Sequence, residues 1–205
     1  MPDAPEPAPE DLTDTTVRGA DWYGRDLDAV EYTRVAFVDV DMTELTSRAT
    51  VFTECTFTNV RFNVSTHTDS AFVNCAFSRS NFFDATFERC KLTGSTFDAC
   101  DFGLLKVKGG NWSFVGLSGA DLGGADFDGV RLREADLSRS RCRGATIVGC
   151  DLSASAFERA DFSGANLQGS DLGGIDPQTV TLTGATIDER QAVAIVEALG
   201  LVVLP

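Results

Sequence analysis

The sequence predicts an all-β solenoid, a square β-helix ended by a short C-terminal α-helix. Three observations carry this expectation. An apolar residue returns at every fifth position, a small residue stands two places before each of them, and the chain closes on an apolar segment with helix-capping residues.

The five-residue period comes first. Counting in fives from Trp22, through Leu27, Tyr32 and Phe37 and on to Ile187, 31 of the 34 positions are apolar; Ser47, His67 and Pro177 are the exceptions. Thirteen of the fifteen Phe and both Trp fall in this register. Two places earlier stand small or apolar residues such as Val35, Cys55, Ala85, Ala125 and Ala160, with Arg25 the one charged exception. The unit therefore reads small, then Asp/Asn/Thr, then Leu/Phe, then two outward residues, the last often Gly. It is clearest at 120–124 (ADLGG), 135–139 (ADLSR), 160–164 (ADFSG) and 165–169 (ANLQG).

Neither regular period fits this pattern. A helix repeats its apolar face every 3.6 residues and a strand every 2, whereas here the spacing alternates 2 and 3. Three extended residues point their first and third side chains to one side. The two remaining residues supply a turn. If each unit builds one side of a square, twenty residues close a coil, and the next coil stacks on it at ~4.8 Å. Phe62, Phe82 and Phe102 then share one interior column, and Phe37, Phe57, Phe77 and Phe97 another. The expected boundaries are a disordered acidic, Pro-rich tail over 1–17, the β-helix over 18–187, and a helix with a dimerisation segment over 188–205.

The six cysteines fit the same register. Cys55, Cys75, Cys90, Cys100 and Cys150 take the small inward position and Cys142 the large one, where thiols act as small hydrophobes. Cys55 and Cys75 would be stacked neighbours, which leaves a disulfide between them open although the fold does not require it. His67 is the only histidine and reads as a hydrogen-bonded core residue rather than a ligand. With no Cys-x-x-Cys pair, no nucleophile–base constellation and no phosphate loop, no metal, cofactor or catalytic residue is expected, and the chain is not read as an enzyme.

At the C-terminus, Asp188 is an N-cap candidate with Gln191 completing a capping box, and Gly200 is a stop. The helix between them is apolar nearly all round and must be buried. One face would cap the open end of the solenoid. Val193, Ile195, Val196, Leu199, Leu201 and Val203 would form a two-fold interface, making a homodimer through this end.

Net charge is −14, from 17 basic and 31 acidic residues. That argues against direct contact with nucleic acid or an anionic membrane. No apolar run is long enough to span a bilayer and the N-terminus has no secretory pattern, so a cytoplasmic protein is expected. Setting aside Asp3, Glu6, Glu10, Asp11 and Asp14, the rod carries about one net charge per ~4.5 Å, against ~1.7 Å in duplex DNA. Any polyanion likeness must therefore be local. One face gathers Asp21, Asp41, Glu44, Asp84, Asp101, Asp121 and Asp161, opposed by Arg61, Arg141 and Arg143. The adjoining face adds Asp26, Asp28, Asp69, Asp126 and Asp128 with Lys106 and Lys108. The candidate partner-binding acids are Asp21, Asp41, Glu44, Asp84, Asp101, Asp121, Asp126 and Asp161. Asp101 stacked on Asp121 would place like charges ~5 Å apart, a repulsion of about 1 kcal/mol or less in water. The competing explanation is local: an Asp or Asn in this place hydrogen-bonds nearby backbone and stabilises the turn. Val64, Phe83 and Leu104 point outward on the same face, either as an interaction patch or through irregular coiling around 103–110.

These repeats resemble the pentapeptide-repeat family, whose members form right-handed quadrilateral β-helices. The resemblance runs from Ala20 to Ile187 without a slip in register. Within the family the chain is similar to the mycobacterial fluoroquinolone-resistance (MfpA-like) type. The likeness lies in SAFVNCAF at 70–77, the inward His67 before it, RLRE at 131–134, the ending DERQAVAIVEALGL at 188–201, and the lack of a long loop between coils. It implies a homodimeric rod that binds DNA gyrase, imitates duplex DNA, inhibits supercoiling and protects the enzyme from fluoroquinolones. The acidic tail departs from the family pattern. The alternative is a solenoid scaffold or immunity protein acting on a non-topoisomerase partner, because a solenoid is a generic display surface.

Overall fold

A computed structural model of the chain describes residues 10–204. The register closes into four-sided coils, with each rung pairing in parallel to the residue twenty places on, as in Phe37 with Phe57 and Phe57 with Phe77. Three sides carry true ladders. The first joins Leu12–Thr13, Glu31–Thr33, Val51–Thr53 and Ala71–Val73. The second stacks five strands, from Thr16–Arg18 to Thr96–Asp98, and the fourth stacks seven, from Asp26–Asp28 to Thr146–Val148. The third side, centred on Trp22, Met42, Phe62, Phe82, Phe102, Leu122, Cys142 and Phe162, has only single bridges and is built from turns. There the backbone N–H three residues on closes each turn, as in Leu45 N to Met42 O at 3.2 Å and Ala85 N to Phe82 O at 3.0 Å.

The central residues fill the interior. Phe37, Phe57, Phe77 and Phe97 form one column with ring centroids 4.9, 4.7 and 4.7 Å apart and planes within 9°. Phe62 and Phe82 stack at 4.8 Å and 3° in another. These separations equal the strand spacing, so the rise of the coil sets the ring stacking. Rings of adjoining columns meet edge-on, for example Phe57 and Phe62 at 62°. The second outward residue of almost every unit lies in the left-handed region, at twenty-one non-glycine positions as well as the glycines. That conformation turns the corner.

The β-helix begins earlier than the sequence suggested. Leu12 and Val17 continue the register and pair with Tyr32 and Phe37. Asp11 accepts from the Glu31 N–H at 2.7 Å, and Asp14 holds Arg34 at 2.6 Å. Glu10 and Thr15, standing where a small apolar residue is usual, hide this first coil. Asp11 and Asp14 thus belong to the rod. The remainder of the expected tail, residues 1–9, lies outside the described residues.

The helix Glu189–Ala198 has the expected capping box: Asp188 accepts from the Gln191 N–H, and the Gln191 side chain accepts from the Asp188 N–H. Within the single chain the face expected at the two-fold interface is open, and the end of the solenoid covers only part of the helix. Gln191 is its one buried residue, Ile195 and Val196 are half-buried, and Val193, Leu199 and Leu201–Leu204 are exposed. The cap is therefore polar at its centre. Gln191 Nε2 donates to Leu167 O at 2.6 Å and Ser170 O at 2.7 Å. In earlier coils a carbonyl such as Ser70 or Cys150 is bonded by the backbone N–H twenty-one residues on (Lys91 N, Asp171 N). For Ser170 that residue is Gln191, whose side chain supplies the hydrogen bond that the next coil would have made.

Five cysteines are buried and all six are free thiols. Cys100 is the exception to the expected burial. Between the coils at 97–102 and 117–122 the bonding lapses, and a cleft of about 300 Å³ opens between Phe97, Cys100, Phe102, Ala120 and Asp121. Burial nevertheless pushes the Cys100 thiol up to about 11.

Candidate acidic interface

The turn-built third side is where the acidic row lies. Its bridges run Asp21, Asp41, Arg61, Asn81, Asp101, then resume Asp121, Arg141, Asp161, Thr181. The expected rung between Asp101 and Asp121 is not formed, because the ladder lapses there. Along this row each carboxylate takes part in its own turn. Asp21, Asp41, Asp101, Asp121 and Asp161 accept from the backbone N–H two residues on, at 3.0 to 3.2 Å. Asn81 does the same at 2.8 Å, as do Asn111 and Asn166 on other sides. A neutral amide thus meets the local need, and the fold does not demand the negative charge.

Four of the eight candidate acids have a cation at hand. Arg61 reaches Asp41 at 2.5 Å, Lys106 reaches Asp84 at 2.5 Å, Arg141 reaches Asp121 at 3.1 Å and Arg143 reaches Asp161 at 2.5 Å. Asp161 is the most tightly held: the Ser163 hydroxyl and then Arg143 draw its carboxyl down to about 2. Asp41 is also lowered against the opposing effect of burial, by hydrogen bonds from Thr43 and by Arg61. Asp126 stands on the fourth side, between Lys106 and Thr146 in register. Among the described residues, Asp21, Glu44 and Asp101 have no cationic partner. The Glu44 carboxylate beside Tyr23 raises the phenol. The paired arginines are more than half exposed, so such pairs contribute about 1 kcal/mol or less and are screened by salt.

At the corner between the fourth and first sides, a shallow depression of about 440 Å³ is lined by Arg89, Lys91, Asn111, Arg131 and Asp151 over a floor of Gly110, Gly129 and Gly149. Sequence reading placed Lys108 near acids but did not find this cationic corner, which forms where coils bring 89–91 and 131 together.

Leu104 and Val64 keep the usual left-handed turn geometry and the core register continues through 103–110, while the coil is irregular next to Leu104, where the Asp101–Asp121 rung is missing and Gly110 adds a second positive φ after Gly109. His67 is a hydrogen-bonded core residue, as expected: Ser47 Oγ lies 2.7 Å from Nδ1 and Ser65 Oγ 3.0 Å from Nε2. Since Ser65 donates its only proton to Phe62 O, Nε2 carries the ring proton and Nδ1 accepts from Ser47.

Comparison with known proteins places these features. A family model described as a pentapeptide repeat region matches residues 80–157, and one described as pentapeptide repeats (8 copies) matches 157–189, together more than half of the chain. Among solved structures, a trypsin-treated single-substitution variant of QnrB1, a plasmid-mediated fluoroquinolone resistance protein, aligns with a TM-score of 0.80 and 19% identity over 95% of this chain and 100% of that one. A second trypsin-treated variant of the same protein gives 0.79 and 19% over 94% and 99%. HetL, a pentapeptide repeat protein involved in heterocyst differentiation regulation from the cyanobacterium Nostoc sp. strain PCC 7120, gives 0.57 and 20% over 86% of each chain. At these identities the likeness is one of fold. No curated protein matches the chain.

Proposed function

The chain belongs to the pentapeptide-repeat family, and from that premise we propose that it is a DNA-mimicking protein of the MfpA-like type that binds DNA gyrase, inhibits supercoiling and protects the enzyme from fluoroquinolones. One observation carries the reading. The third side keeps Asp where Asn serves the turn equally well, and three of its acids, Asp21, Glu44 and Asp101, are left without cations. Charge placed there without structural need is available to a basic DNA-binding surface. The fold shared with QnrB1, described as a fluoroquinolone resistance protein, supports the same reading. The proposal extends to a cytoplasmic, non-catalytic homodimer. Its two-fold contact would use the exposed Val193, Leu199, Leu201 and Val203, with Ile195 and Val196 behind them.

The test is a supercoiling assay with gyrase from the same source, with and without a fluoroquinolone. Inhibition is expected, weakening as salt rises. The variant D21N/E44Q/D101N should lose more inhibition than D41N/D121N/D161N, whose carboxylates already face arginines. An unchanged supercoiling rate and unchanged drug-induced cleavage would reject the proposal. Sedimentation of a single-chain species at micromolar concentration would reject the dimer.

A further inference from the structure

Val64, Phe83 and Leu104 are 46%, 43% and 52% exposed on the third side. Phe83 occupies a place taken elsewhere by Thr43, Asn63 or Ser163, and its ring lies against Gly103 beside Asp101. Val64 and Leu104 occupy the corner place taken by Gly24, Gly124, Gly144, Gly164 and Gly184 on the same side. That place requires a left-handed backbone, with φ of +58° at Val64 and +57° at Leu104. Val64 is the only β-branched residue held there among the described residues. Such a conformation costs an L-residue about 1–2 kcal/mol, and a β-branched one is a clear outlier. Val64 and Leu104 are thus unfavourable for the backbone, and all three side chains for contact with water. Neither the core nor the turn gains from them.

We propose that these residues form an apolar anchor within the acidic row, seating a partner surface that presents a protruding apolar side chain ringed by Lys and Arg. Charge complementarity selects this occupant. Asp101 borders the anchor with its charge unpaired, Glu44 lies one rung beyond Val64, and Asp84, at the centre, is bound only to the exposed Lys106. Val64 and Leu104 are two rungs apart, about 10 Å, with Phe83 on the rung between them. The inference rests on the gyrase reading, which supplies the partner. It adds a contact that DNA itself does not offer: an apolar one that salt does not screen.

The experiment compares wild type with V64G/F83S/L104G in supercoiling inhibition of matched gyrase, at about 50 mM and about 300 mM salt. The expected result is inhibition by both at low salt, and at least a tenfold greater loss for the variant at high salt. Loss of inhibition by a folded variant at both salts would support the anchor more strongly. Equal potency of variant and wild type at both salts overturns the anchor and leaves the gyrase reading standing. A wild type without effect on gyrase overturns both. Thermal melting checks that the triple variant folds. F83S alone, at an outward position that Ser already fills at residue 163, is the second variant and must move in the same direction.

Discussion

His67 is the only histidine in the chain, so the pH range from 7 to 5 isolates its contribution to stability. In the folded rod it is fully buried, and burial lowers it to about 3, against about 6.5 in an unfolded chain. As pH falls below 6.5 the unfolded chain takes up a proton that the folded one refuses. Stability is therefore complete above the unfolded value and falls by about 1.4 kcal/mol per pH unit on the way down to the folded one. Between pH 7 and pH 5 the loss is about 2 kcal/mol. The lowered carboxyls, such as Asp41 and Asp161, titrate below this window. Urea unfolding followed by the fluorescence of buried Trp22 and Trp112 should show the midpoint falling by about 1 M over this range. The variant H67F places a ring like those at Phe72 and Phe87 in the column. It leaves Ser47 its contact with Ser70 and Ser65 its bond to Phe62 O. Its midpoint should be the same at both pH values. A wild type equally stable at pH 5 and 7, or an H67F variant that keeps the loss, would refute this account.

Cys100 should be the first thiol to react with a maleimide at pH 9, giving one addition per native chain by intact mass while the other five wait for denaturant. Two or more thiols reacting at the same rate would show that the cleft beside it is not special. Q191A removes half of the capping box and both hydrogen bonds to the last coil, and should lower stability by about 2–3 kcal/mol; Q191E should fare no better, because a carboxylate cannot donate to Leu167 O and Ser170 O. V64G should raise stability by about 0.5–1 kcal/mol by relieving the left-handed valine, after allowing for the entropy of glycine, seen as a rise in Tm of about 2 °C. A fall in Tm would mean that Val64 packs in the isolated rod.

The five-residue register made the core legible because the interior positions are filled by side chains that have nowhere else to go. It failed at Leu12 and Val17, where polar Glu10 and Thr15 precede the central residue and tertiary pairing overrides the pattern. The acidic row was legible as a column, and part of its compensation could have been read as well. Asp41–Arg61, Asp121–Arg141, Asp69–Arg89 and Asp14–Arg34 are all twenty residues apart. Asp84–Lys106 and Asp161–Arg143 are not, since those side chains cross from one column to another. The lapse between Asp101 and Asp121 left no mark on the period, because the central residues Phe102 and Leu122 remain in place. Gln191 was read only as a capping residue. Its second role depends on where the last coil stops.

The twenty-residue rung has a geometric consequence of its own. Because every side is one pentapeptide, adding or removing five residues leaves the core pattern intact but carries everything downstream a quarter-turn around the rod. Asp121 and Asp161 would then no longer continue the line of Asp21, Asp41 and Asp101, although each turn would still be made. The surface a partner reads is thus written in the number of pentads between its parts. The alignment of the two halves is a matter of counting, which packing alone does not protect.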